Sequence, residues 1–425
     1  MGSKMATILG TLSVLLTVSA LSPAQAASLR ASCHLEDNAN DRIEGVNVDD
    51  RYPIASVSKI MTAYWAVAKM GPQGRFPTRV SIRVVTNELA DVHLTGSRDP
   101  YIGKWTLQYM VSELNRLGVT KIRNLTYDEN FKFLIDTTGD VAHANFDNHE
   151  PGPDRVGSNL KKAFENIAGG YDGLKSRVSK LRKMSMPASI KMKVESISFL
   201  SKEDFNPSQY DSAFTYRSTV LLDILKEMNR NSNNYAANNI FEHLGGPEKF
   251  REFVKERLNL GTDSLRFVNG SGDSKTTESG KIYNEGTCRS VIKILQALRA
   301  ELKKTGHGLH HVLAVAGRNA AGTKSTVDMY KNEETNGALI AKTGTVNPAI
   351  TLAGMMVTEE GNLYFGYIYK TNGSGGDWRN ARQKIKVAVT AMLKEHGGGD
   401  PISSVPEAFL AFDEGSKLTA VDRMN

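Results

Sequence analysis

The chain has 425 residues, of which 40% are hydrophobic and 23% are charged. At about 150 residues per domain, this length predicts two or three domains. The composition excludes general disorder, a collagen-like fibre and a protein made mostly of membrane spans. Lys and Arg outnumber Asp and Glu by 53 to 46, which gives a net charge of +7. This mild excess predicts attraction to anionic surfaces, but we expect no nucleic-acid partner.

The first residues have the pattern of a secretory signal peptide. Lys4 precedes an apolar run from Ala6 to Leu21, which leads into small residues around Ala26. The run is short for a membrane-spanning helix and is interrupted by Gly, Ser and Thr. We therefore expect residues 1–26 to be a cleaved signal peptide. The mature chain would then be periplasmic and would have no transmembrane span.

Two cysteines are present, Cys33 and Cys288. An oxidising compartment would allow them to pair, but two buried free thiols fit the sequence equally well. Neither cysteine has a metal-binding or redox spacing, and the nine histidines form no ligand pattern. We expect no metal and no other cofactor.

Hydrophobic periodicity divides the chain into one split domain and an insert. Residues 27–86 and 209–425 carry the long helical and strand periods expected of the split domain. Residues 87–208 have short alternating runs with Pro and Gly between them, which predict a smaller strand-rich inserted domain. A basic stretch from Lys175 to Lys193 is interpreted as a solvated face, with docking of an anionic polymer as the alternative.

In the C-terminal part of the chain, the hydrophobic pattern changes from a helical period to a strand period. Two strand-like runs, Ala349 to Val357 and Leu363 to Tyr369, predict a hairpin, and Trp378 to Glu395 predicts a closing helix. We expect the tail after Gly397 to be loosely held.

Three Ser-x-x-Lys motifs occur, beginning at Ser56, Ser158 and Ser290. At a helix start, this spacing places the hydroxyl and the amine on one face. Burial beside a second cation would keep part of the amine neutral, so that it can act as a base. Only Ser56 follows a Pro-containing turn and opens an apolar helix, which makes Ser56 and Lys59 the candidate nucleophile and base. We interpret the other two motifs as surface positions.

Two further motifs offer groups for the same chemistry. Ser232-Asn233-Asn234 lies between two predicted helices and presents a hydroxyl and an amide, although such a sequence is also a common helix N-cap. Lys342-Thr343-Gly344-Thr345 leads into the predicted hairpin, where the glycine would let a substrate backbone approach the strand edge. A second Lys-Thr-Gly, beginning at Lys304, is interpreted as a helix C-terminus with a Gly cap.

With these three motifs in this order, the chain resembles the serine D,D-peptidases and β-lactamases. Further segments narrow the resemblance to the low-molecular-mass class C penicillin-binding proteins, the D-alanyl-D-alanine carboxypeptidase/endopeptidase family of the peptidase S13 type. These segments lie at 53–56, 95–100, 124–128, 228–234, 269–272, 316–318 and 341–345. The resemblance implies an α+β fold, in which an antiparallel sheet is flanked by helices and an accessory domain is inserted between the first two motifs. Asn269 departs from the family, which usually has Asp there.

The resemblance also implies a serine D,D-peptidase that acts on peptidoglycan stem peptides through an acyl-enzyme and is covalently inhibited by β-lactam antibiotics. It would cleave D-Ala–D-Ala termini, D-Ala–diaminopimelate cross-links, or both. The implied catalytic roles are nucleophile for Ser56, base for Lys59, and proton transfer to the leaving amine for Ser232 with Lys342. The residues implied to bind substrate are Asn234, Thr343, Gly344 and Thr345, of which Asn234 would hold the substrate amide and Thr343 and Thr345 the terminal carboxylate where one is present. The backbone N–H groups of Ser56 and Thr345 would form the oxyanion hole. Two alternatives remain: a β-lactamase that uses the same site, and an inactive wall-binding protein. The long insert argues against the first alternative, and three complete motifs argue against the second. The oligomeric state stays open.

Overall fold

The computed structural model describes residues 27–37, 42–133, 152–182, 184–318, 324–403, 405 and 412–420. The predicted signal peptide, residues 1–26, lies outside the described residues. Within those ranges, no helix is both long enough and apolar enough to cross a membrane.

Helices lie along most of the chain, and each buries its apolar stripe against a sheet or a neighbouring helix. They are α1 (Ser58–Met70), α2 (Lys104–Arg116), α3 (Pro153–Glu165), α4 (Tyr171–Arg182), α5 (Leu221–Asn231), α6 (Asn234–His243), α7 (Gly246–Leu258), α8 (Cys288–Lys303) and α9 (Gly375–Glu395). The apolar helix predicted after Ser56 is α1, which is buried from Ser58 to Val67. The predicted closing helix is α9.

The larger antiparallel sheet carries the third motif. Its strands are β1 (Ser28–Glu36), β2 (Glu44–Val46), β13 (Ala314–Val315), β14 (Leu339–Val346), β15 (Ala349–Thr358) and β16 (Gly361–Lys370), in the spatial order β13-β14-β15-β16-β1-β2. The predicted C-terminal hairpin is confirmed as β15 and β16. Because side chains alternate across a strand, the two faces of the sheet form two cores. One face packs with α1 and α8 and the other with α9.

Cys33 of β1 and Cys288 of α8 form a disulfide, with their Cα atoms 5.9 Å apart. Both residues are buried. The pairing that the sequence left open therefore fastens the first strand of the sheet to α8, which packs beside α1.

A second sheet of mixed direction lies in the middle of the chain. Its strands are β4 (Pro77–Val84), β5 (Leu89–Thr95), β6 (Lys121–Tyr127), β7 (Lys193–Phe199), β8 (Ser212–Arg217) and β17 (Thr419–Ala420), in the spatial order β17-β8-β4-β5-β6-β7. It forms its own hydrophobic core together with α2, α3 and α4. The prediction of a loosely held tail is wrong for residues 412–420. Phe412 and Leu418 are buried in this core, and β17 pairs with β8.

Short strands complete the fold. They are β3 (Tyr52–Pro53), β9 (Leu265–Arg266) and β12 (Glu285–Gly286), which form one small sheet, and β10 (Lys275–Thr277) and β11 (Gly280–Ile282), which form a hairpin. The small sheet holds the chain just before Ser56. The predicted α+β class, an antiparallel sheet flanked by helices, is confirmed.

Candidate active site

The turn before α1 presents Ser56. Residues Ala55–Val57 form a 3-10 turn that leads directly into the helix. Ala55 has a φ of 48°, in the left-handed region that non-glycine residues rarely adopt. The carbonyl of Ile54 accepts a hydrogen bond from Thr351 Oγ1 at 2.9 Å, which ties the turn to β15. Ser56 is partly exposed between buried neighbours, so its hydroxyl is held rigidly and is open to a ligand.

Lys59 lies one helical turn after Ser56 and is completely buried. Its Nζ is 2.9 Å from Ser56 Oγ, 2.6 Å from Asn234 Oδ1 and 2.9 Å from the carbonyl oxygen of Ser271. Burial, and then the nearby charge of Lys342, hold the pKa of Lys59 well below its ordinary value, against a smaller opposing effect of Asp273. A neutral amine can donate to the two amide oxygens and accept the proton of the serine hydroxyl. This environment suits a general base.

The second motif divides its three side chains between two tasks. Asn233 caps α6, since its side chain accepts the N–H of Ala236 at 2.9 Å. Ser232 ends α5 with a φ of 57°, and Asn234 is the residue that contacts Lys59. The N-cap that the sequence suggested is therefore Asn233, which leaves both flanking residues for the site.

Lys342 joins the second motif to the third. Its Nζ donates to Ser232 Oγ at 2.9 Å and to its neighbouring carbonyl, that of Thr343, at 2.7 Å. Burial lowers the pKa of Lys342 to about 7. An amine that titrates near neutrality beside a hydroxyl can pass a proton through it.

Gly344 allows β14 to lie against the turn that carries Ser56. A Cβ atom at Gly344 would be 2.1 Å from Thr351 Oγ1, 2.9 Å from Ala55 Cβ and 3.0 Å from the Ile54 oxygen. The sequence suggested that this glycine makes room for a substrate backbone. In the structure, the space that a side chain would need is occupied by the protein itself.

The edge of β14 is open where the third motif lies. Among the described residues, β13 pairs only with Ala341 and Ile340, so the strand from Lys342 onwards has no further neighbour on that side. Thr345 is exposed there. Such an edge can add an extended peptide as an extra strand.

Three contributions to the site were not assigned from the sequence. The Ser271 carbonyl accepts from Lys59, Asp273 acts on Lys59 through its charge, and Arg382 of α9 donates to Thr345 Oγ1 at 3.1 Å. Ser271 belongs to the segment 269–272, which the family resemblance had marked without a role, and Asp273 directly follows that segment. Arg382 lies in an ordinary amphipathic helix, and no local pattern distinguishes it.

The other Ser-x-x-Lys motifs lie elsewhere. Ser158 is exposed on α3, as expected. The interpretation of Ser290 as a surface position is wrong, because it is fully buried in α8 and donates to the carbonyl of Thr287 at 2.7 Å. Its hydroxyl is used by the first turn of its own helix.

A serine beside a buried lysine, a second serine–lysine pair and an open strand edge define the class of penicillin-recognising serine hydrolases. The model of the D-Ala-D-Ala carboxypeptidase 3 (S13) family matches residues 35–136 and 203–392. The chain therefore belongs to this family, and it is a serine peptidase.

Solved structures agree with this assignment. The chain is 34% identical to a predatory peptidoglycan endopeptidase from Bdellovibrio bacteriovorus, over 93% of this chain and 100% of that chain, with a TM-score of 0.82. The same endopeptidase acylated by penicillin G and bound to an immunity protein is 35% identical over 93% and 100% of the two chains, with a TM-score of 0.82. Penicillin-binding protein 4 from Haemophilus influenzae is 14% identical over 86% and 97% of the chains, and its TM-score of 0.58 shows a shared fold. No match was found among curated protein sequences.

Proposed function

We propose that the protein is a D,D-peptidase that hydrolyses peptidoglycan stem peptides through an acyl-enzyme on Ser56. The observation that carries this proposal is the buried Lys59 amine, 2.9 Å from Ser56 Oγ and with a lowered pKa. The reaction begins when Ser56 Oγ attacks the carbonyl carbon of the penultimate D-Ala and Lys59 accepts its proton. Ser232, supplied by Lys342, gives a proton to the departing amine, and water then hydrolyses the ester.

The remaining residues bind and orient the peptide. Asn234 gives its side-chain oxygen to Lys59, and among the described residues its amide nitrogen makes no hydrogen bond, so it is available to a substrate carbonyl. The backbone N–H groups of Ser56 and Thr345 form the oxyanion hole, where one donor is typically worth about a hundredfold to a thousandfold in rate. Thr343, Gly344 and Thr345 line the strand edge along which the peptide lies.

Cleavage of D-Ala–diaminopimelate cross-links is the activity that we place first. It is supported by the relatives at 34% and 35% identity, which are endopeptidases. Removal of a terminal D-Ala uses the same residues and is the second activity. β-Lactams would acylate Ser56, as penicillin G acylates one of these relatives.

Export to the periplasm is part of the proposal. It is supported by the signal-peptide pattern of residues 1–26, by the extracytoplasmic location of peptidoglycan and by the disulfide, a bond that persists in oxidising compartments. We also propose that the peptidase unit is split by an insert that runs from β4 to β8. The proposed insert, from Pro77 to Arg217, extends about ten residues beyond each end of the 87–208 predicted from the sequence.

The test compares the wild type with Ser56→Ala. Purified muropeptides are incubated with each protein and measured by mass spectrometry, and each protein is labelled with a fluorescent penicillin. We expect the wild type to convert cross-linked dimers to monomers and to be labelled, and Ser56→Ala to do neither. A labelled Ser56→Ala protein would refute the nucleophile assignment. Rapid penicillin turnover without muropeptide cleavage would instead identify a β-lactamase.

A further inference from the structure

A short hairpin lies at the edge of the active site. It consists of β10 (Lys275–Thr277) and β11 (Gly280–Ile282), which pair with each other and, within the described ranges, with no other strand. Both strands are exposed over most of their length. An isolated two-stranded hairpin is only marginally stable in water. This hairpin can therefore gain stability from a surface that binds to it.

Both ends of the hairpin adjoin groups of the active site. Asp273, which lies shortly before β10, acts on Lys59 through its charge. Tyr283, which directly follows β11, packs against the small cluster that contains Ala55 and Val346. Ala55 precedes the nucleophile, and Val346 follows the last residue of the third motif. The base of the hairpin thus lies between the first and third motifs.

The base is held rigidly, whereas the strands project into solvent. Asn284 is fully buried, and its backbone carbonyl accepts the N–H of Ile54 at 3.1 Å. Its side chain donates to the carbonyl of Asn269 at 2.8 Å. Each strand of the hairpin has 3 residues, so at about 3.4 Å per residue the turn lies about 10 Å from the base. The two residues that flank a cleaved bond span only about 7 Å, so the hairpin is long enough to contact more than those two residues.

The hairpin presents two cations to solvent. Lys275 and Lys281 are exposed, and neither makes an ion pair with a described residue. Lys275 is paired with Ile282 and Thr276 with Lys281, so the two ammonium groups lie on opposite faces of the hairpin. Glu278 is the one acid in residues 275–282. The net charge of this segment is therefore positive, which favours an anionic ligand.

We infer that this hairpin binds the peptidoglycan polymer beside the stem peptide that is cleaved; this inference rests on the proposed D,D-peptidase function. Each stem peptide ends in a carboxylate, so the assembled wall presents many anions close together. Lys275 and Lys281 bind carboxylates of neighbouring stem peptides while the active site holds the one that is cleaved. The hairpin thereby adds binding to the assembled wall that a soluble fragment does not receive.

The experiment compares a polymeric substrate with a soluble one. Initial rates of cross-link cleavage are measured by mass spectrometry for intact sacculi, which are digested with a muramidase after the reaction, and for the purified cross-linked dimer. The proteins are the wild type, Lys275→Ala/Lys281→Ala and the charge-reversed Lys275→Glu/Lys281→Glu. The matched control is Lys161→Ala/Lys162→Ala, which removes the same charge from exposed positions on α3.

Exposed ion pairs are individually weak, so we expect the double alanine variant to cleave sacculi about threefold to tenfold more slowly than the wild type. The double glutamate variant should be slower still, because it repels the stem carboxylates. Both variants should cleave the soluble dimer and be labelled by a fluorescent penicillin as the wild type is. Added salt screens exposed charges, so it should reduce the difference between the wild type and the alanine variant. The control should behave as the wild type on both substrates.

Three results would overturn the inference. If the hairpin variants slow the cleavage of sacculi and of the dimer equally, the hairpin only supports the active site. If they slow neither, the hairpin does not bind the polymer. If the control slows the cleavage of sacculi as much as the alanine variant does, the attraction is a general effect of positive charge. In each case the wild type still cleaves the dimer, whereas failure of the proposed function would appear as no Ser56-dependent cleavage of either substrate.

Discussion

The surroundings of Lys59 shift its pKa in opposite directions. Burial and the positive charge of Lys342 lower its pKa, whereas the negative charge of Asp273 raises it. A base must be neutral before it can accept the proton of Ser56, so acylation should increase as the pH rises through the pKa of Lys59. The pH at which acylation rises therefore depends on the balance between the charges of Lys342 and Asp273.

We predict opposite pH shifts for two substitutions. Asp273→Asn removes the anion, which lowers the pKa of Lys59 and moves the rise in acylation rate to lower pH. Lys342→Met removes the cation, which moves the rise to higher pH, and it also lowers the maximal rate because Ser232 loses its proton supply. The measurement is the rate of acylation by a fluorescent penicillin as a function of pH.

The control for these shifts is Asp263→Asn, which removes the same charge from an exposed loop position. It should leave the pH profile where it is in the wild type. If Asp273→Asn and Lys342→Met move the profile in the same direction, the titrating group is not Lys59.

Sequence reasoning located the residues whose signal is local. Ser56 and Lys59 are one helical turn apart, and Lys342 to Thr345 are consecutive, so their motifs can be read without the fold. Arg382 reaches Thr345 only because α9 packs across the sheet, a contact that no spacing encodes. The burial of Ser290 was missed for the same reason, since an amphipathic pattern does not tell which stripe of α8 meets β1 and α1.

At the scale of secondary-structure elements, the site depends on how closely β14 approaches the turn before α1. Gly344 is in contact with that turn, and Gly272 meets it from another side, where a Cβ atom would be 1.9 Å from the Ala55 oxygen. The left-handed Ala55 is thus enclosed by two backbones. A non-glycine residue keeps a left-handed conformation only where its surroundings hold it there, and this packing holds Ala55.

We predict that Gly344→Ala pushes β14 away from the Ser56 turn. The added methyl has no room, and overpacking of this kind typically costs about 1–3 kcal/mol of unfolding free energy. Acylation should fall as well, because the strand and the nucleophile separate. Urea unfolding and penicillin labelling measure the two effects. Gly173→Ala in α4 is the control, since no atom lies within 4 Å of the added Cβ; a Gly344→Ala protein as stable and as reactive as this control would contradict the argument.

The elements of the middle region were harder to predict than those around the site. Alternating runs between 87 and 208 correctly indicated strands, but α2, α3 and α4 lie there too. The helical period is weak in α4, whereas α3 has a pronounced apolar stripe that the polar, Gly-containing composition of its segment obscured. The tail strand β17 could not be predicted at all, since two residues such as Thr419–Ala420 become a strand only by pairing with β8.

At the scale of the whole molecule, the change from one hydrophobic core to the other takes only a few residues. Phe76 and Tyr101 lie in the core around α1. Val80 and Ile102, only four residues and one residue further along the chain, lie in the core of the second sheet. The tail closes this junction, because Arg75 makes a bidentate ion pair with Asp413, at 2.7 and 2.9 Å. The two cores are therefore joined by continuous chain and by the returning tail.

The disulfide constrains nearly the whole arrangement, since Cys33 and Cys288 are 255 residues apart in sequence and enclose the insert and the first two motifs. We predict that the double variant Cys33→Ala/Cys288→Ala loses about 2–5 kcal/mol of unfolding free energy, the usual effect of removing a native disulfide. Both sulfurs are buried, so a reductant should act on the wild type only as it unfolds.

The test is thermal unfolding with and without dithiothreitol. The reductant should lower the Tm of the wild type towards that of the double variant and leave the double variant unchanged. A wild type whose Tm equals that of the double variant in the absence of reductant would show that the two cysteines are not paired in the isolated protein.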